Sequence, residues 1–293
     1  MSDFIRQWSV EETHFGTSKS WVVLSSLEAS IKARIERLGI PLKNWNIQIN
    51  YGIKTGYNEA FIVDSETKAR LINLDSKNAE IIRPILKGRN IKKYKAEFGN
   101  LWIINSHNGL KKKLIPRVNV EQDYPVVYQY LKNYEQELIR RFDKGDHWTN
   151  LRNCAYLDEF EREKIIWLEL TDIPKFAYDN RQIMVEATAF MMVGEKLKYL
   201  TAFLNSKISE WYFDKITTSS GVGTNRWKKI YIENLPVPII SGEPLNKIEV
   251  LIDRILKRIE DLQTTVELEE EIDDLLCDYY GFSKEERAVI YNR

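Results

Sequence analysis

Hydrophobic positions along the chain change period several times, and each change marks an element. Between residues 20 and 38, Val23, Leu24, Leu27, Ile31, Ile35 and Leu38 recur at three- and four-residue steps, which predicts a helix ended by Gly39 and Pro41. From Asn44 the pattern alternates, with Trp45, Ile47 and Ile49 on one side and Asn46, Gln48 and Asn50 on the other. That is the signature of a half-buried strand. Gly52 and Gly56 bracket a predicted exposed turn, and Ala60–Val63 reads as the returning strand. Residues 76–86 read as a short helix stopping near Lys87-Gly88, and Leu101–Asn105 as a buried strand. Tyr124–Phe142 reads as a helix with Tyr128, Leu131, Leu138 and Phe142 on its apolar face. Lys164–Leu170 and Ala187–Val193 are strand candidates, and Lys198–Phe213 a helix. Strands and helices do not alternate as in a doubly wound fold, so the expected class is α+β with a mixed α/β body.

The last fifty residues behave differently. Ile248, Leu251, Ile252, Ile255, Ile259 and Leu262 form one stripe over 244–262, after Pro236, Pro238 and the turn-forming Ser241-Gly242. Ile272, Leu275, Leu276 and Tyr279 follow at helical spacing up to Gly281, a natural C-cap. Ser283 and Glu286 match a capping box opening a final short helix. The expected product is a C-terminal helical module docking through its apolar stripe.

A chain of 293 residues can bury a full core as one large or two smaller domains. No apolar run approaches the ~18–20 residues needed to cross a bilayer. The segment MSDFIRQWSVEETHF lacks the basic patch and apolar stretch of a signal peptide. Two cysteines, Cys154 and Cys277, suggest neither a disulfide framework nor a zinc site. The expectation is a cytoplasmic protein with no membrane partner.

Net charge is zero, yet it is unevenly distributed. Pro84–Arg117 carries nine basic residues against Glu97 alone, whereas Asp261–Glu286 carries ten acids against Lys284 alone. One basic region balanced by an acidic helix is compatible with nucleic-acid binding by one face, and equally with solvated surface charge.

Several polar turns carry chemistry suited to DNA. GIKTGYN (Gly52–Asn58) offers Lys54, Thr55, Tyr57 and Asn58 between two glycines that permit close backbone approach. Such a turn could hold a phosphate or present Asn to adenine and Lys to guanine, or it could be a tight hairpin with incidental polar groups. KGRNIKKY gives Lys87, Arg89, Lys92, Lys93 and Tyr94, a density suited to phosphate neutralisation, unless it is a charged loop with Ile91 tucked in. NSHNGLKKK adds Asn105, His107, Asn108, Lys111 and Lys112 as a DNA-facing loop or a solvated turn, and KGDHWTNLRN adds His147, Asn150, Arg152 and Asn153 around a Trp148 that could belong to the core. TTSSGVGTNRWKK, with Asn225 and Arg226, reads equally as a groove-probing loop or a disordered connector. His14, His107 and His147 have no metal-ligand spacing, so no metal site is expected.

The catalytic census is negative. The sequence contains no Pro-Pro pair, no GxSxG, and no glycine loop with the strand and helix of a phosphate cradle. Its one Glu-x-Lys, Glu66-Thr67-Lys68, has Asp64 too close to serve as a nuclease partner. The chain by itself is expected not to be an enzyme.

Seven segments in order resemble one family: GIKTGYNEAFIVD (Gly52–Asp64), EIIRPILKGRNIKKY (Glu80–Tyr94), LWIINSHNG (Leu101–Gly109), NLRNCAYLDEFEREKIIW (Asn150–Trp167), YLTAFLNSKISEWYF (Tyr199–Phe213), IENLPVP (Ile232–Pro238) and EEEIDDLLCDYYGFSKEE (Glu269–Glu286). From about Trp21 onward the chain resembles the TaqI-like C-terminal specificity domain of type IIG restriction–modification enzymes and adenine-specific DNA methyltransferases. The resemblance implies a target-recognition body at 41–240, a helical leader at 1–40 linking to a missing catalytic domain, and a helical module at 241–293. It implies double-stranded DNA as partner and no cofactor in this chain. A parent protein would use S-adenosylmethionine to methylate adenine N6 and Mg²⁺ to cleave, its methyltransferase or nuclease domain lying in cis or in trans. DNA contacts fall to Lys54, Thr55, Asn58, Lys87, Arg89, Lys92, Lys93, Asn105, His107, Asn108, Lys111, Lys112, His147, Asn150, Arg152, Asn225 and Arg226. Two other readings stay open: a free-standing specificity subunit that recruits a separate methyltransferase, or a protein-interaction module acting through its helical tail.

Overall fold

The structure is a computed structural model describing residues 24–216 and 225–292. In chain order its elements begin with α1 (Ser26–Leu38), β1 (Gly39–Pro41), β2 (Ile47–Tyr51), α2 (Asn58–Phe61), β3 (Ile62–Asp64) and α3 (Ser65–Leu74). Next come β4 (Ile82–Leu86), β5 (Leu101–Ile104), α4 (Val120–Asp123), α5 (Pro125–Lys132), α6 (Glu135–Arg140), β6 (Lys164–Leu168), β7 (Leu170–Thr171), β8 (Ala177–Asp179), β9 (Met184–Val185) and β10 (Ala189–Gly194). The chain then runs through α7 (Leu197–Leu204), α8 (Lys207–Ile216), β11 (Asn225–Arg226), α9 (Lys229–Ile232), β12 (Pro236–Pro238), α10 (Glu243–Glu260), α11 (Val266–Tyr280) and α12 (Lys284–Tyr291). The class is α+β. Two compact units divide these elements: residues 47–169 with 175–197 form a sheet-bearing unit, and the remaining described residues form a helical one.

The sheet-bearing unit holds two four-stranded sheets. One, ordered β2-β10-β6-β8, is antiparallel throughout, with Met192 facing Ile49 on one side and Ile165 on the other. Ile165, Ile166 and Trp167 in β6, and Met191, Met192 and Val193 in β10, are all buried. Such unbroken apolar runs suit inner strands covered on both faces. The other sheet, ordered β3-β5-β4-β9, is antiparallel except for the parallel pair β4–β9. Ile53 adds a parallel bridge to Glu186 just past β9. Chain direction therefore sends the segments after Leu86, Val185 and Ile53 out at one end of the sheet. The antiparallel β5 delivers Asn105 to the other end. Phe61, Ile85, Leu86, Ile103, Val127, Leu131, Leu138 and Leu151 fill one apolar cluster here.

Crowding beside β9 explains Gly52. Its N–H donates to Ala189 O at 2.9 Å and the next N–H, of Ile53, to Val185 O at 2.6 Å. A Cβ on Gly52 would sit 2.2 Å from the Glu186 carbonyl oxygen. Backbone cannot yield there as a side chain can, so Gly52→Ala is expected to destabilise by roughly 1–3 kcal/mol. A denaturant midpoint unchanged from wild type would contradict this packing.

Lys164 is an unusual core residue. Fully buried in β6, its Nζ donates to the carbonyls of Phe160 (2.9 Å), Arg162 (3.1 Å) and Arg181 (2.9 Å) and lies 3.2 Å from Asp179 Oδ2. Burial lowers its pKa and the Asp179 carboxylate opposes that shift. The ammonium thus ties β6 to β8 and to both flanking turns.

Local structure departs from the hydrophobic pattern at several points. Ala60–Val63 does not return as a hairpin strand: Asn58–Phe61 is one helical turn, and β3 pairs with β5 rather than β2. Residues 76–86 are not one helix but a 3₁₀ turn (Ser76–Glu80) followed by β4. Pro84 and the β-branched Ile81, Ile82 and Ile85 favour extended backbone there. The expected 124–142 helix breaks into α5 and α6, and Phe142 is 97% exposed instead of core-facing. Residues 198–213 likewise split at Asn205-Ser206, where the Ser206 hydroxyl donates to Phe203 O at 2.7 Å. Leu262, expected on the apolar stripe, is 95% exposed just beyond α10.

In the helical unit, Ser25 and Glu28 form a capping box that starts α1, which buries Ile31 and Ile35. The expected residues 20–23 of that helix lie outside the described residues. β1 pairs antiparallel with β12, Gly39 opposite Pro238. Arg34 ties α1 to the tail, donating to Gly281 O (2.9 Å) and to Glu286 (3.0 Å) while lying over the Phe282 ring. Ile248, Leu251, Ile252 and Ile255 of α10 are buried, as are Ile272 and Leu276 of α11. Gly281 adopts the left-handed cap at φ 64° and the Ser283–Glu286 box opens α12, both as the sequence indicates.

Candidate nucleic-acid interface

The Gly52–Asn58 turn is rigid on its inner side and polar on its outer side. Thr55 is buried: its hydroxyl donates to Asn58 Oδ1 at 2.5 Å and accepts the Tyr57 N–H at 3.2 Å. Gly56 holds φ +70°, and a Cβ there would lie 2.6 Å from Asp143 O, so the turn is pressed against the 141–143 segment. Asn58 is exposed and its Nδ2 reaches Glu186 Oε1 at 3.4 Å. Lys54 is exposed and takes no ion pair or hydrogen bond among the described residues.

Arg141 is the residue that fixes this turn. Its guanidinium is buried, lies 4.4 Å from the centre of the Phe61 ring, and donates to Thr55 O, Asn150 O and, at 3.0 Å, Trp148 O. Burial pulls its pKa down to about 10, with Asp143 opposing. A planar fork of donors can serve several carbonyls at once, which an ammonium cannot.

Asn150 extends the same web. Wholly buried, it donates through Nδ2 to Val118 O (2.9 Å) and Ser106 O (3.2 Å), and its Oδ1 accepts from Arg117 Nη1 at 2.8 Å. Asn108, also buried, accepts the Asp146 N–H at 2.9 Å and donates to Asn153 Oδ1 at 2.5 Å. The segments 53–58, 105–118 and 141–153 are therefore one knitted layer.

Two adjoining cavities open on that layer. Lys54, Thr55, Asn58, Asp143 and Glu186 line one of about 360 Å³. Lys54 again, with Tyr51, Arg152, Asn153 and Tyr156, lines another of about 530 Å³. The Arg152–Asp143 ion pair (2.7 Å) joins a residue of one cavity to a residue of the other, and Arg152 is 51% exposed. An exposed pair of this kind is worth ~0–1 kcal/mol, so Arg152 can exchange partners at little expense.

The basic loop after β4 is anchored by apolar residues. Ile91 and Tyr94 are buried, and the Tyr94 N–H donates to Phe176 O at 3.0 Å. Gly88 approaches Leu168 so closely that a Cβ would meet its Cδ2 at 2.5 Å. With the loop so held, Arg89 and Lys92 are exposed, Lys87 is half-buried, and none of these three ammonium or guanidinium groups has an acidic partner among the described residues. Lys93 lies over the Tyr94 ring. After β5, the Leu110–Ile115 bridge closes a turn that exposes Lys111 and Lys112, again unpaired among the described residues, while Lys113 pairs with Asp158.

The seventeen candidate contacts thus divide by position. Lys54, Asn58 and Arg152 come together at the cavities. Lys87, Arg89, Lys92 and Lys93 leave the sheet at the same end as Lys54, because β4, β9 and Ile53 run parallel. Asn105, His107, Lys111 and Lys112 follow β5 in the 105–118 segment, which Asn150 and Arg141 tie to the Gly52–Asn58 turn. Three candidates face inward instead: Thr55, Asn108 and Asn150 are buried and bond to neighbouring backbone and side chains. Burial keeps His107 and His147 below the usual histidine pKa, so neither counts as a cation at neutral pH. Asn225 and Arg226 pair as backbone with Thr171 and Leu170 in the helical unit, and the rest of their loop lies outside the described residues. The sequence reading passed over Arg141, whose position after Arg140 looks like a helix end, and whose role depends on carbonyls up to eighty-six positions away.

No three His, Cys, Asp or Glu side chains among the described residues gather into a metal-holding group. No described helix is long and apolar enough to cross a membrane.

With this geometry in view, comparison with known proteins defines the class. Residues 83–237 match the TaqI-like C-terminal specificity domain. That is more than half of the chain, and the chain belongs to this family. The type II methyltransferase M.MjaIV of Methanocaldococcus jannaschii is 22% identical over 239 residues, covering 78% of this chain and 77% of its own. Among solved structures, the type IIL restriction–modification enzyme MmeI in complex with DNA superposes on 83% of this chain with a TM-score of 0.62 at 12% identity. The type IIG restriction endonuclease BpuSI covers 88% of it with a TM-score of 0.50 at 14% identity. This chain spans about a third (34%) of each of those two solved chains. At such identities the likeness is one of fold.

Proposed function

We propose that this specificity domain reads duplex DNA for a site-specific adenine methyltransferase and endonuclease whose catalytic domains act in cis or in trans. The observation that carries the proposal is a set of six cations on one unit, Lys54, Lys87, Arg89, Lys92, Lys111 and Lys112, none of which has a carboxylate partner among the described residues. Unpaired cations on rigid turns suit phosphates, whose counterions they would release.

Within that grip, Asn58, Arg152 and Asn153 are the base readers. All three are exposed at the cavities, on turns locked by Arg141 and Asn108. Arginine forks onto guanine O6 and N7, and asparagine onto adenine N6 and N7, each good pair discriminating by about 1–3 kcal/mol. Phosphate contacts then set register and amide or guanidinium contacts set sequence.

S-adenosylmethionine supplies a methyl group and Mg²⁺ assists cleavage in the parent activity proposed here. Among the described residues no three His, Cys, Asp or Glu side chains cluster, and the sequence has no glycine loop suited to the nucleotide part. This chain's share of the reaction is to bind, orient and select.

The test is the salt dependence of duplex binding. Log affinity should fall linearly with log salt, and Lys54→Ala with Lys92→Ala should make the slope shallower by about 1.8, two phosphates at ~0.9 each. Arg152→Ala should instead lower the preference for the favoured sequence and leave affinity for other DNA nearly unchanged. A salt response that is flat in the unsubstituted chain would refute the reading.

A further inference from the structure

Phe142 stands 97% exposed, although the spacing of apolar residues assigns it to the core. Its backbone is held on both sides. Arg141 before it is buried and bonded to three carbonyls, and Lys144 after it bridges to Leu151. The Gly145 N–H donates to Asn150 O at 3.1 Å, which closes the following loop. Asp143, next to Phe142, is part of the cavity wall shared with Lys54 and Asn58. A large aromatic ring is thus presented to solvent from a fixed backbone, one residue before a side chain that lines the cationic, amide-bearing cavity.

We propose that Phe142 packs against an exposed base face or wedges into a base step of the bound duplex. The inference rests on the DNA-reading role proposed above and adds to it a contact that no charge or hydrogen bond supplies. Three properties favour a base as the occupant. The ring is a full apolar face, 97% exposed among the described residues. The next residue, Asp143, lines a cavity with Lys54 and pairs with Arg152, and these two cations draw a polyanion to that segment. The pinned backbone removes most of the ordering cost of binding, which is the condition for a small contact to show as affinity. Aromatic rings stack on any base, and inserted apolar side chains kink duplexes at the step they enter.

The experiment uses the full chain and a duplex enriched by this chain from a randomised pool. Phe142→Ala should weaken binding roughly 10- to 100-fold and leave the salt slope unchanged, because a neutral ring releases no counterions. Phe142→Trp should restore affinity. Single 2-aminopurine substitutions along the duplex should reveal one position whose emission rises on binding to the unsubstituted chain and not to Phe142→Ala. Since the ring is exposed, Phe142→Ala should unfold at the same denaturant concentration as the unsubstituted chain. Unchanged DNA affinity for Phe142→Ala overturns the inference. So does a loss confined to association with a separately supplied catalytic domain, which would make the ring a protein contact. Failure of the unsubstituted chain to bind any duplex would overturn the functional reading itself.

Discussion

Arg141→Ala is expected to lower the free energy of unfolding by roughly 3–5 kcal/mol and to abolish sequence preference in duplex binding. The guanidinium serves the carbonyls of Thr55, Trp148 and Asn150 and covers the Phe61 ring, so alanine orphans buried acceptors and opens a void at once. The Gly52–Asn58 turn and the 143–153 loop would lose their common tie, and Lys54, Asn58 and Arg152 their fixed spacing. Arg141→Lys should recover part of the stability and little of the preference, because one ammonium cannot span three carbonyls in a plane. Equilibrium unfolding followed by binding to the preferred and a scrambled duplex checks both halves. A variant with near-normal stability and undiminished preference would contradict the role given to this residue.

Lys164→Met is expected to be comparably damaging to stability for a different reason, at about 3 kcal/mol or more. The methionine fills the space but leaves the carbonyls of Phe160, Arg162 and Arg181 without their donor. Asp179 keeps the Arg181 guanidinium at 2.6 Å, so it is not left wholly unpaired. Asp179→Asn should therefore cost less than Lys164→Met, since the ammonium retains its three carbonyls. The reverse order in urea denaturation would mean that the carboxylate, not the carbonyl cage, justifies a buried lysine. Where Lys164→Met still folds, its salt slope for DNA should match that of the unsubstituted chain, because Lys164 touches no cavity at the interface.

The periodic parts of the fold were legible in the sequence. Ile248 to Ile255 and Ile272 to Leu276 become buried helix faces, and Gly281 and Ser283 cap as their residue types require. Alternation from Trp45 to Ile49 yields β2, and the apolar runs of β6 and β10 become inner strands. What failed was pairing and interruption. Nothing local tells Ile62–Asp64 to seek β5 across nearly forty residues rather than the nearer β2. Phe142 fits a helical stripe on paper, but α6 ends at Arg140, where the guanidinium of Arg141 turns toward distant carbonyls.

The candidate site divides in the same way. Lysines and arginines in glycine-bearing turns could be picked out because exposure is their ordinary state. Asparagine is ambiguous, since an amide satisfies buried backbone as well as it reads a base edge. Asn150 and Asn108 took the first use, whereas Asn58 and Asn153 are exposed and are proposed for the second. Sequence alone cannot separate them, because the difference lies in which carbonyls happen to be near.

Ile47 at the start of β2 lies opposite Gly194 at the end of β10. The polypeptide therefore enters and departs from the sheet-bearing unit at neighbouring points, about one interstrand spacing of ~5 Å apart. Almost everything between behaves as a closed excursion, with residues 170–174 as its one detour into the helical unit. Lengthening or shortening a turn inside that excursion leaves its doorway unchanged. Residues that meet a ligand there can diversify freely while the junctions at 47 and 194 stay compatible with whatever adjoins them.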